Sequence, residues 1–238
     1  YQIATAAQLA RLAYLINDST TNADYNTLYY VQTANIDLSL YYWDAIGAYT
    51  SSSEYLAFAG HYNGGGFVIS GMYTQSGYSY QGLFGYVYGT SDDARAEIHD
   101  LGVIASFVQG DRCIGAIAGG ASYCNITNCY NTSEVSCETD QIAGIVGYAS
   151  YCNITKCYNT GEISSTNYWV GGVAGYLYQV NVGNCYNTGS VSGSAAIGGV
   201  SGRATVNSTI YNCYNAGTIN CIGGTGPRES GGISGGIY

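Results

Sequence analysis

Asn128-Cys129-Tyr130-Asn131-Thr132 packs a thiol, a phenol, two carboxamides and a hydroxyl into five residues, the groups from which metal sites and nucleophilic centres are built. The stretch returns as Lys156-Cys157-Tyr158-Asn159-Thr160, Asn184-Cys185-Tyr186-Asn187-Thr188 and Asn212-Cys213-Tyr214-Asn215-Ala216, a step of 28 residues each time. A Cys-x4-Cys pattern at 124 and 129 recurs at 152 and 157. Zinc centres gather four ligands as a discrete set, whereas these thiols recur with the chain's own period, so packing explains them and neither a metal nor a cofactor is expected. A second candidate is Asp92-Asp93-Ala94-Arg95-Ala96-Glu97, followed by His99 and Asp100. Paired carboxylates of this kind serve as acid and base, or hold calcium, in polysaccharide-cleaving enzymes. A solvated loop accounts for the same residues. His61 and His99 stand in no metal-ligand spacing with the cysteines, and Gly198-Gly199-Val200-Ser201-Gly202 belongs to the repeat rather than to a nucleophile elbow, so no catalysis is expected.

The elements that would position these residues follow from the period. Ile126, Ile154, Val182 and Ile210 form one 28-step series, Val135, Ile163, Val191 and Ile219 a second, and Ile145 and Val173 a third. Within one repeat the anchors are separated by 9, 10 and 9 residues, so each coil divides into three sides with room for a short strand and a bend. The Gly-rich side steps by 28 from Gly147 to Gly175 and by 27 to Gly202, while Ile210 still lies 28 after Val182, so corner length varies and the sides stay aligned. An insertion around Gly226-Pro227-Arg228-Glu229 is expected to bulge as a loop. The expected fold is all-β: a parallel β-helix, or β-solenoid, with three strands per coil of about 28 residues.

Residues 1–24 read as an N-terminal cap, 25–110 as irregular coils and 111–238 as the regular ones, all within one domain spanning 1–238. Thr5 stands three residues before Gln8, a capping-box spacing, and Leu9, Leu12, Ala13 and Ile16 follow at helical spacing before Asn17-Asp18-Ser19. This helix is expected to cover one open end of the stack, where bare strand edges would recruit other chains. A strand pattern runs from Tyr29 to Leu38, and Asn63-Gly64-Gly65-Gly66 is a turn signal.

Equivalent residues on adjacent coils point the same way. Cys129, Cys157, Cys185 and Cys213 are therefore expected as a ladder of buried thiols, and Asn131, Asn159, Asn187 and Asn215 as a hydrogen-bonded amide ladder at a corner. Tyr130, Tyr158, Tyr186 and Tyr214, if they face outward, form an aromatic stripe and the expected contact surface. Cys113 and Cys137 lie off the ladder and are the disulfide candidates. A formal charge of −9 with only six Lys and Arg opposes nucleic acid and anionic membranes. The absence of a long apolar run opposes membrane insertion. A start at Tyr1, with neither Met nor a signal-like segment, suggests a mature or excised piece of a soluble or secreted protein.

Gly144-Ile145-Val146-Gly147, Gly171-Gly172-Val173-Ala174-Gly175, Gly198-Gly199-Val200-Ser201-Gly202 and the Asn-Cys-Tyr-Asn-Thr units resemble the GLUG-type repeats of bacterial cell-surface and secreted proteins. The earlier segments around Ala34-Asn35-Ile36-Asp37-Leu38 and Gly82-Leu83-Phe84-Gly85 look like the leader that precedes such repeats. The resemblance implies a right-handed β-helix exposed outside a bacterial cell, within adhesin-like proteins or beside protease domains, and it supplies no catalytic residues. The expected role is a non-enzymatic extracellular structural or adhesive module whose partner is a protein or glycan on another surface. Two alternatives stand beside it: a filament subunit stacking head to tail through an uncapped C-terminal end, and a polysaccharide-binding or polysaccharide-degrading β-helix.

Overall fold

The computed structural model describes residues 1–49, 55–74, 77–222 and 229–237. The chain forms a parallel β-solenoid of about eight turns with a short N-terminal helix. Helix α1, Ala6–Asn17, starts as its sequence dictates: the Thr5 hydroxyl accepts the Gln8 backbone N–H, and the Gln8 side chain accepts the Ala4 N–H at 2.8 Å. Leu9, Leu12, Ala13 and Ile16 are its buried residues and join the continuous core with Ile3, Tyr30, Trp43 and Phe58. Asn17 ties the helix end to the first coils, donating to the Ala45 carbonyl at 2.9 Å and accepting the Gly47 N–H at 2.9 Å. A one-turn helix, Asn22–Tyr25, follows without having been expected.

The longest sheet stacks Gln2–Ile3, Tyr29–Gln32, His61–Asn63, Ala96–Ile104, Cys124–Asn131, Asn153–Thr155, Asn181–Gly183 and Thr209–Tyr211 in parallel, one strand per turn. In the regular coils its register pairs Ile126 with Ile154, Ile154 with Val182 and Val182 with Ile210. A second sheet carries Val135, Ile163, Val191 and Ile219, while the third pair of anchors, Ile145 and Val173, is buried and bonded in register just before the strands of another sheet, where Val146, Ala174 and Ser201 stack. The coil is cut more finely than three strands: one turn reads Ile142–Ala143, Val146–Ser150, Asn153–Thr155, Tyr158–Asn159 and Ile163–Ser165. The cause is local. Asn128, Lys156, Asn184 and Asn212 all sit at φ between 51° and 56°, a left-handed bend just before each ladder cysteine that divides the first side in the later coils, while Cys124–Asn131 runs through it as one strand. Asn bears this conformation at little cost, which accounts for three of the four residues there.

The missing residue in the Gly-rich side is lost and regained at corners. Ala174 pairs with Ser201 and Tyr178 with Thr205, both 27 apart, whereas Asn181 pairs with Thr209, 28 apart. Between Thr205 and Thr209, Val206 and Asn207 both take positive φ where the preceding coils use one such residue, Tyr123, Tyr151 or Gln179. The Asn63 turn is also present, with Gly65 donating to the Asn63 side chain and Gly65 and Gly66 at positive φ. Of the insertion around Gly226-Pro227-Arg228-Glu229, residues 226–228 lie outside the described residues.

Candidate functional site

The outward face of the longest sheet is built by alternation. Because Ile126 and its stack partners point into the core, Asn125 and Thr127 on either side must point out. Asn125, Asn153 and Asn181 then lie one above another, and each amide donates to the side chain one turn earlier: Asn181 to Asn153 at 3.0 Å, Asn153 to Asn125 at 3.0 Å, Asn125 to Glu97 at 3.5 Å. Thr209 donates into the late end at 2.6 Å, and at the early end Glu97 meets His61 at 3.1 Å, whose ring stacks on Tyr29 at 4.2 Å. Glu97 therefore serves this polar stripe. His99 pairs instead with Asp100 at 2.8 Å, and Arg95 pairs with Asp92 and donates to the Tyr151 carbonyl. The acidic run thus distributes its charges among separate partners. Among the described residues no group of three or more His, Cys, Asp or Glu converges as a metal site.

In the repeated pentapeptide, Cys129, Cys157 and Cys185 are buried and Cys213 partly so. Each thiol donates to carbonyls beside it, as Cys157 does to Ile126 at 3.6 Å and Thr155 at 3.3 Å, and the Cys185 sulfur accepts the Cys157 N–H. Burial pushes the Cys157 thiol well above its ordinary value, and the bond to Cys157, followed by burial, pushes Cys185 up to about 12. Such groups stay protonated at neutral pH and make poor nucleophiles. Cys113 and Cys137 are both free: the first donates to the Gln141 side chain at 2.8 Å and the second to the Asp111 carbonyl at 2.8 Å. Burial raises each to about 12. The two thiols are thus directed at different acceptors and form no disulfide here.

Asn131, Asn159 and Asn187 are wholly buried and donate up the stack to the next member at 2.8 Å each, Asn187 reaching Asn215. The second amide hydrogen goes to the carbonyl two residues on, Ser133, Gly161 or Gly189. Across the coil interior this ladder meets the Gly-rich side. A Cβ on Gly144, Gly172 or Gly199 would come within 2.2–2.4 Å of the side chain of Asn159, Asn187 or Asn215 respectively. The two repeated motifs are therefore one packing unit, which their separate positions in sequence did not reveal.

Tyr130, Tyr158, Tyr186 and Tyr214 do face outward, but their rings stack on one another at 4.9, 4.8 and 5.0 Å with planes within 4° of parallel. Burial and then the neighbouring phenols raise the Tyr158 and Tyr186 hydroxyls. The first ring lies over Gly102, where a Cβ would strike it. Ring faces inside this ladder are already used. It offers a partner only ring edges, hydroxyls and the outer face of Tyr214.

Open aromatic surface lies elsewhere, at a place the sequence reading missed. Leu38 and Trp43 are buried, and Leu40, Tyr41 and Tyr42 between them are 83%, 64% and 67% exposed. The segment is pinned on both flanks. Leu38 N–H donates to Ser70 O and Trp43 N–H to Tyr73 O, both at 2.8 Å, and the Trp43 indole donates to Leu83 O at 3.1 Å. The Leu40–Tyr42 ridge separates two grooves. One, of about 740 Å³, runs along α1 past Ala6, Ala10, Tyr14 and Asp18; the other, of about 560 Å³, is lined by Tyr73, Phe107 and Glu134. The signal available in sequence was three large apolar residues in a row between two anchors, a run that no alternation accounts for.

Fold and surface together define a β-solenoid scaffold with a projecting aromatic ridge in its early coils. Residues 110–136 and 140–164 each match the GLUG motif. The whole chain also superposes on a solved Bacteroides ovatus structure described as "a putative immunoglobulin A1 protease", with TM-score 0.70 and 18% identity over 100% of this chain and 82% of that one. At that identity the likeness shows the fold. No curated protein matches the chain. No helix among the described residues is long and apolar enough to cross a membrane.

Proposed function

We propose that this β-solenoid is a non-enzymatic contact module of a secreted or cell-surface bacterial protein, with the scaffold presenting an adhesive surface near its N-terminal end. The GLUG repeats support the extracellular address. The observation that carries the contact role is the pinned Leu40–Tyr42 ridge. A contiguous apolar projection held open by buried anchors on both sides costs solubility without adding to the core, and surfaces of that kind mark interaction sites. The non-catalytic half is supported by the pairing of Glu97, His99 and Arg95 with separate partners and by thiols raised by burial. The protease label belongs to the Bacteroides ovatus protein, and a fold likeness does not transfer chemistry. The test is an array of immobilised glycans and extracellular proteins probed with the wild type and a Tyr41→Ala/Tyr42→Ala double variant. Binding that disappears in the double variant is expected. Binding that survives it, or polysaccharide cleavage lost with Asp92→Asn, Asp93→Asn or Glu97→Gln, would overturn the proposal.

A further inference from the structure

The two grooves beside the Leu40–Tyr42 ridge share Tyr41 and Tyr42, so they form one surface crossed by a low aromatic wall. Small residues of α1, Ala6, Ala7 and Ala10, floor the first groove and leave it shallow and open along its length. Tyr42 meets Tyr73 edge-on at 5.4 Å, and Tyr73 stacks on Phe107 at 5.7 Å, which fixes the wall of the second groove. The charged side chains lining the grooves are acidic, while the Arg11 guanidinium lies 4.9 Å over the Tyr14 ring at the edge of the first groove. Asp18 and Asp44 line the first groove and Glu134 the second, and no Lys, Arg or His lines either among the described residues. Asp18 accepts hydrogen bonds from the Thr20 backbone and hydroxyl at 2.8 and 2.6 Å, which hold its carboxyl below the usual range and therefore charged. Tyrosine faces attract cations, and carboxylates at the edge of an apolar groove add to that attraction. An anionic partner meets repulsion here, and a neutral one gains no attraction from the three carboxylates.

We propose that the Leu40–Tyr42 ridge and its two flanking grooves are a docking site for an extended polypeptide segment carrying Lys and Arg, with Tyr41 and Tyr42 receiving the cationic side chains and Asp18, Asp44 and Glu134 neutralising them. This names the partner for the contact-module reading and rests on it. A segment of several residues suits a surface whose lining runs from α1 across the ridge to Phe107. The ridge is preorganised by Leu38 and Trp43, so binding need not first order the loop.

The experiment is fluorescence anisotropy with the whole chain and a labelled 12-residue peptide of repeating Lys-Leu-Gly, beside a Glu-Leu-Gly peptide and a neutral hexose oligosaccharide. The basic peptide is expected to bind and to weaken as salt is raised. Affinity should fall about tenfold in Tyr41→Ala/Tyr42→Ala and in Asp44→Asn/Glu134→Gln. Glu138→Gln, an exposed carboxylate outside both grooves, removes one charge as a control and should leave affinity unchanged. Equal binding of the acidic peptide, or equal weakening by Glu138→Gln, would overturn the proposal by reducing it to apolar contact or to bulk charge. Oligosaccharide binding that depends on Tyr41 and Tyr42, without peptide binding, would overturn the proposal and leave the contact module standing. Silence in all three arms would count against both.

Discussion

The buried amide ladder should behave quite differently from the exposed one although their chemistry is the same, and Asn159→Ala beside Asn153→Ala measures the difference. Asn159 is wholly buried and makes four hydrogen bonds: it donates to Gly161 O and Asn187 Oδ1, and it accepts from Asn131 and from Gly161 N–H. Truncation strips partners from buried groups that no water reaches, at about 1–3 kcal/mol for each group left unsatisfied. Asn131 keeps its bond to Ser133, so fewer than four groups bear the full penalty, and the expected loss is about 3–6 kcal/mol. Asn153 makes two ladder bonds at 3.0 Å on the partly exposed face, where water replaces them, and its loss should cost less than about 1 kcal/mol. For a chain of this size the first change corresponds to a fall of roughly 6–24 °C in Tm and the second to a few degrees at most. Urea unfolding followed by far-UV circular dichroism, with thermal melts, reads both. Asn159→Asp adds a pH signature. A carboxylate there would face Gly161 O and Asn187 Oδ1 with no proton to give, so its folded pKa is raised above the unfolded value. Stability is then fuller below the unfolded pKa of about 3.9 and is lost as pH rises through the folded pKa, so this variant should lose more stability on going from pH 4 to pH 7 than the wild type does. Equal losses from Asn159→Ala and Asn153→Ala would refute burial as the source of the ladder's strength.

The Gly-rich side supplies a companion experiment. Gly172→Ala brings a Cβ to 2.2 Å from Gly199 O and 2.4 Å from Asn187 Cγ and should prevent folding or cost several kcal/mol, on the order of the penalty for severe overpacking. Gly232→Ala, at the equivalent position of the last coil, meets open space and should be tolerated; comparable expression and melting of the two variants would contradict the packing. Thiol labelling in the native state should modify Cys221 first and Cys213 more slowly, because the bond to Cys185 and then burial raise the Cys213 thiol and the other seven cysteines are buried; rapid reaction of Cys157 by mass spectrometry would show that the ladder opens. At Asp100 the bond from Asn128, followed by that from His99, holds the carboxyl below its usual range. A depressed folded pKa contributes stability above the unfolded value that is lost as pH falls through the folded one. Asn128→Gly keeps the left-handed backbone and removes the donor, so the Asp100 midpoint in a carboxyl NMR titration should rise; an unchanged midpoint would assign the shift to other partners.

The repeat made the architecture readable in advance because each coil repeats one physical problem. Ile126, Ile154, Val182 and Ile210 must share a direction if turns stack in register, and period alone therefore grouped the core residues, the ladder Cys and Asn and the Tyr into rows. Thr5 and Gln8 likewise specify the start of α1 through bonds between near neighbours. Contacts between different sides of a coil escape such reasoning. That Gly172 leaves room for Asn187 depends on how far the chain bends between them, and that bending is set by left-handed residues such as Lys156, which no composition rule would select for that conformation.

The candidate surface divides along the same line. Spacing put Tyr130, Tyr158, Tyr186 and Tyr214 in one row without deciding that it faces outward, and whether their faces remain available depends on the rung separation, which at about 4.8 Å closes each ring against the next. Leu40, Tyr41 and Tyr42 read in one dimension as another short apolar run. Their exposure arises because Leu38 and Trp43 enter the core on both sides, leaving the three residues between them nowhere inward to go. Residue type and period thus settle which side chains share a row; packing across the coil settles which of those rows a partner can reach.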